Sequence, residues 1–69
     1  MNLSISLDTL PAYLRGEGYP EQADLIEAAG QDAAQVVVEL IDAASKLPDG
    51  SEAELVCRQM ANAIGRANG

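Results

Sequence analysis

The order of apolar and polar positions divides the chain into one extended segment and four helices. Residues 3–7, LSISL, alternate with period two, so Leu3, Ile5 and Leu7 share one face of an extended backbone. A lone strand has no neighbour to complete its backbone hydrogen bonds. Residues 1–8 are therefore read as an extended N-terminal arm that lies along the helices or pairs with the same arm of a second chain.

Beyond the arm the apolar spacing becomes helical. A first helix is predicted over 9–16, with Asp8 or Thr9 as its cap, Pro11 in the first turn where a missing N–H costs nothing, and Gly16 at its end. The GEG segment makes a tight connection. Pro20 then opens a second helix over 20–29, which Gly30 closes with a left-handed residue. Asp32 with Gln35 forms a capping-box pattern for a third helix over 33–47, which ends before Pro48.

The run Val36-Val37-Val38 invites a strand, but its flanks are alanine-rich and Gln35, Glu39, Asp42 and Lys46 recur at helical spacing. Those four polar residues span an arc of about 60° at about 100° per residue, which leaves most of the circumference apolar and predicts the central helix of the fold. Asp49-Gly50 makes a turn, and Ser51 with Glu54 gives a second capping box. The fourth helix is predicted over 52–66, with an apolar seam of Ala53, Val56, Cys57, Met60, Ile64 and Ala67. The expected fold is all-α, a compact four-helix bundle preceded by the arm, in one domain spanning 1–69.

Composition narrows this picture. A chain of 69 residues buries only about 60% of its unfolded surface, enough for one modest core. Phe and Trp are absent and Tyr13 and Tyr19 are the only aromatics, so small aliphatic side chains must fill that core. The tyrosines are read in two ways, as covers of the bundle edge and as amphipathic anchors in an interface. Cys57, alone in the chain, forms no internal disulfide and reads as a small buried side chain in a reducing compartment. No apolar run approaches the about 20 residues of a membrane span, and MNLSISLDTL lacks the basic start and unbroken apolar middle of a signal peptide. The expected location is the cytoplasm.

The absence of histidine removes the commonest general base and neutral metal ligand, and one cysteine builds no thiolate cage. Neither a cofactor nor a metal is expected. No glycine cluster has phosphate-loop spacing, Ser51 lacks the flanks of a carrier-protein attachment serine, and Asp49-Gly50-Ser51 lacks the alternating ligands of a calcium loop. A carboxylate pair in a desolvated cleft is the remaining route to catalysis, and small aliphatic residues in short helices leave little room for one. The expectation is a binding protein and not an enzyme.

Eleven acidic residues against four basic ones give a net charge of -7, which repels nucleic acid and anionic lipid and attracts cationic surfaces. Glu17, Glu21, Asp24 and Glu27 recur at spacings of four, three and three, within an arc of about 120° if Glu17 continues the second helix. Like charges one turn apart repel, and the second helix has no lysine or arginine of its own to offset them. Neighbours on such a row lie about 5–6 Å apart, a spacing that permits phosphate mimicry. Glu39 and Asp42 on the third helix, and Asp49, Glu52 and Glu54 around the start of the fourth, complete the candidate partner-binding set. The last group also interacts favourably with the helix dipole.

The arm, the four capped helices, the acidic exterior and the run YLRGEGYPEQADLIEAAG together resemble the small anti-CRISPR proteins of bacteriophages, most of all the inhibitors of type I-E systems. The resemblance implies a stoichiometric inhibitor in the host bacterial cytoplasm. It would bind the CRISPR surveillance complex or its recruited nuclease at a basic surface, without touching nucleic acid directly. A different class with the same features is a small dimeric interaction module, such as an antitoxin or a phage blocker of another host factor. For that class the exposed arm would be the dimer contact.

Overall fold

Short-range backbone chemistry sets the helix ends in the computed structural model, which describes residues 6–68. The helices are α1 (Leu10–Gly16), α2 (Pro20–Ala28), α3 (Ala33–Ser45) and α4 (Glu52–Asn68). No strand occurs among the described residues. Leu3 and Ile5 of the expected arm lie outside them. Leu7 lies within, half-buried against the core.

Thr9 stands at the N-cap of α1, but its hydroxyl does not cap the helix. Its backbone is already helical, at φ -98° and ψ -10°, whereas a capping side chain needs an extended backbone to reach forward. The hydroxyl turns back instead, accepting from the Ser6 N–H at 2.9 Å. At the other end of α1, Gly18 at φ +91° lets the chain reverse. The Tyr19 N–H donates to the Leu14 carbonyl at 2.8 Å and the Gly18 N–H to the Arg15 carbonyl at 3.2 Å, the paired bonds of a Schellman stop.

Asp32 caps α3 as its pattern predicts, accepting from the Ala34 and Gln35 N–H groups at 3.0 and 3.4 Å. The reciprocal half of that box is not made, because the Gln35 amide points forward and donates to Glu39 at 3.1 Å. α3 stops at Ser45, two residues short of the predicted 47. Leu47 precedes Pro48, a position disfavoured in the helix, and it folds into the core instead. In the second box Ser51 accepts from the Glu54 N–H at 3.2 Å. Glu54 reaches past Ser51 to the Gly50 N–H at 2.9 Å, since the Ser51 N–H is already given to the Pro48 carbonyl. α4 then runs through Gly65 to Asn68, beyond the predicted 66.

The core is aliphatic throughout, with Leu10, Leu14, Val36, Leu40 and Cys57 its largest fully buried side chains and no polar or charged residue buried among those described. Ala23, Ala43, Ala44 and Ala53 fill the contacts between helices and let their axes approach closely. α2 packs against both α1 and α3, and α3 and α4 share the largest interface. The radius of gyration, 10.8 Å, is close to the about 11 Å expected of a folded chain of this length.

Two packing expectations change. Ala61, not Ala67, joins the α4 seam, and Ala67 is exposed. α4 has 17 residues to the 13 of α3, about 6 Å more helix than its neighbour, and Ala67 stands one residue before its end. α3 does lie between α2 and α4, but one flank of its wide apolar arc stays uncovered. Val38 is 56% and Ile41 50% exposed, and Leu55 on α4 is 53% exposed. No helix among the described residues is long and apolar enough to cross a membrane.

Candidate partner-binding surface

The acidic row proposed for α2 is broken at its first member. Glu17 is the C-cap of α1, and the left-handed Gly18 separates it from the α2 helix that begins at Pro20. Its side chain therefore belongs to the α1 end and does not continue the α2 face.

The rest of the row is held from outside its own helix. The reversal at Gly18 lays Arg15 of α1 beside α2, where its Nη2 contacts Asp24 Oδ1 at 2.8 Å and its Nη1 donates to Glu27 Oε2 at 3.2 Å. Nη2 also bonds Glu27 Oε1, which makes the Glu27 contact a two-pronged fork. These bonds, first of all the one from Arg15, lower the Glu27 pKa, and Glu27 and then Asp24 raise that of Arg15. All three side chains remain well exposed, at 42%, 73% and 51% for Arg15, Asp24 and Glu27, so solvent screens the clasp. Glu21 lies in the first turn of α2, exposed and without an ion pair among the described residues, where the helix dipole favours its charge.

The other candidates divide by element. On α3, Glu39 is half-buried and accepts from Gln35, and Asp42 pairs with Lys46 at 3.1 Å. Asp49 is exposed in the turn before α4. Glu54, only 14% exposed, gives one oxygen to the Gly50 N–H and the other to Arg58 at 3.3 Å. The Gly50 bond first, then Arg58, holds its carboxyl below the ordinary value of 4.5. This side chain is a structural fastener of the turn.

Glu52 is placed differently. Its Oε1 accepts from the Tyr13 hydroxyl at 3.1 Å across 39 positions of sequence. Tyr13 is half-buried against the core, and its pKa is pushed up to about 12 by desolvation, by the bond and charge of Glu52, and by the charge of Glu17. The start of α4 thus brings Glu52 to the phenol of α1, and the charge of Glu17, one helical turn after Tyr13, adds to the same upward shift. Neither carboxylate has a cationic partner among the described residues. Nothing in local spacing announces the Tyr13–Glu52 bond, and the same holds for the Arg15 clasp.

Of the eleven acids, Asp24, Glu27, Asp42 and Glu54 are ion-paired among the described residues, and the other seven have no ion pair among them. The pKa values of Glu27 and Glu54 both move down, the opposite of what a general acid needs. Among the described residues no three acidic or thiol side chains gather closely enough to hold a metal ion. Comparison with protein-family models, with curated proteins and with solved structures finds no match to this chain.

Proposed function

We propose that this chain is a non-catalytic binding protein that occupies a basic surface of a protein partner through the anionic patch around Tyr13. The observation that carries the reading is the Tyr13 hydroxyl held by Glu52, with Glu17 one turn along α1 from Tyr13 and neither carboxylate ion-paired among the described residues. A half-buried ring with an acidic rim combines the two features of an interface anchor: apolar area, and charge left uncompensated until a partner supplies it. Glu21 adds exposed charge at the start of α2, and the net charge of -7 steers the whole chain toward cationic grooves.

The resemblance to phage anti-CRISPR proteins names such a groove. In this proposal the partner is a type I-E surveillance complex or its nuclease, whose nucleic-acid channel is basic, and inhibition is stoichiometric. The test is target-DNA binding by the purified surveillance complex, and DNA cleavage after its nuclease is added, with increasing chain at two salt concentrations. Inhibition that saturates near one chain per site, weakens with salt and is lost in a folded Glu17→Gln/Glu52→Gln/Tyr13→Ala variant supports the reading. Full activity of both steps in excess wild-type chain excludes this partner.

A further inference from the structure

We infer that the open groove between α3 and α4 is a docking site for an amphipathic helix of a partner protein that carries carboxylates beside its apolar ridge. The groove has a volume of about 740 Å³ and lies between Val37 and Ile41 on α3 and Ala61 and Gly65 on α4, with Arg58 and Arg66 among its lining residues. It is a different surface from the Tyr13 patch and does not depend on the function proposed for that patch.

Three observations define the occupant. The first is apolar exposure: Ile41 in the groove is half exposed, and Val38 and Leu55 continue the aliphatic surface on the same two helices. An aliphatic surface that the chain leaves uncovered, lined by two helices, matches the ridge of a third helix.

The second is charge. The chain has four basic residues, and two of them line this groove. Arg66 makes no ion pair among the described residues. Arg58 uses Nε and Nη2 on Glu54, which leaves Nη1 without a partner among them. An otherwise acidic chain therefore presents guanidinium donors at its apolar groove, the complement of carboxylates flanking an apolar ridge.

The third is Gly65. Glycine inside a helix costs about 1 kcal/mol relative to alanine. A Cβ at this position would meet nothing within 4 Å, so no contact inside the chain calls for its absence. A bare backbone facing the groove allows an incoming helix to approach closely. A second copy fits less well, because a two-fold contact sets the arginine-bearing face against itself.

The test uses two synthetic helical peptides of about 17 residues, long enough to span α4. They share one leucine ridge, flanked by Glu in one peptide and by Lys in the other. Each is titrated into the full isotope-labelled chain at about 0.15 M salt and followed by NMR. The expected result is shifts at Val37, Ile41, Ala61 and Gly65 and at least about tenfold tighter binding of the Glu-flanked peptide, against the net charge of -7. Arg66→Glu should remove that preference. Gly65→Leu should weaken the Glu-flanked peptide about tenfold or more while circular dichroism stays helical. Tighter binding of the Lys-flanked peptide, shifts confined to other surfaces, or unchanged affinity in folded Gly65→Leu overturns the proposal. So does a dimer by light scattering that Gly65→Leu abolishes, which assigns the groove to a second copy. Nuclear Overhauser contacts from Leu3 or Ile5 to Ile41 in the free chain overturn it as well, by assigning the groove to the chain's own first residues.

Discussion

Leu40 and Ile41 are adjacent in α3, yet truncating them should have very different consequences. Leu40 is fully buried, and Leu40→Ala removes its transfer energy and leaves a cavity among alanines and valines that cannot expand to fill it. The expected loss is about 3 kcal/mol, within the 2–5 usual for such sites. A chain of 69 residues has a total stability of only about 3–10 kcal/mol, so this one change removes a large part of it. Ile41 is 50% exposed. Full burial of such a side chain is worth about 1.5–3 kcal/mol, so about half of that, near 1 kcal/mol, is at stake in Ile41→Ala. The better helix propensity of alanine returns about 0.4 kcal/mol of it. In a domain of this size 1 kcal/mol moves Tm by about 4–8 °C. Thermal melts by circular dichroism should therefore show Leu40→Ala down by about 12–24 °C and Ile41→Ala by about 5 °C or less. Equal losses for the two variants would mean that the α3 flank is covered in the free protein, and the docking groove would not exist as described. A wild-type Tm that rises with protein concentration would carry the same message.

Further consequences concern caps, charge and pH. Asp32→Ala should cost about 1 kcal/mol in urea unfolding, and Gln35→Ala should leave the Asp32 cap bonds intact because the Gln35 amide serves Glu39 instead. Arg15→Gln releases Asp24 and Glu27 from their clasp, so titration calorimetry with a lysine-rich polycation should show tighter binding and a steeper salt dependence than wild type. Equal slopes would show that the clasp does not mask those charges. Burial pushes the Cys57 thiol from 9.0 to about 11, so stability should fall as pH rises from 9 toward 11, where the unfolded chain loses a proton that the folded chain keeps. Native Cys57 should accordingly react slowly with a disulfide reagent until the chain is unfolded. Glu27 and Glu54 are shifted the other way, so their contribution is present above pH 4.5 and is lost on acidification below it. Urea midpoints at pH 7 and pH 3 would check this.

What the sequence determined by itself is what depends on neighbours a few residues apart. The Asp32 and Ser51 caps, the reversals at Gly18 and Gly30, and Pro20 at the start of α2 all act within one turn of backbone. The helix count and all of the predicted α4 seam but Ala67 followed from the same local rules. Those rules failed where a side chain had more than one partner within reach, as for Thr9, Gln35 and Glu54, because local spacing offers the choice without making it. Tertiary structure decided which charges meet across elements, while the Asp42–Lys46 and Glu54–Arg58 pairs are set by i,i+4 spacing within one helix. An arginine on α1 clasps the α2 carboxylates, Glu17 leaves their row, and Tyr13 bonds Glu52 across 39 positions of sequence. It also decided which flank of the α3 apolar arc is covered. A helical wheel gives the direction in which Ile41 points, but only the packing of α4 beside α3 determines whether anything stands there.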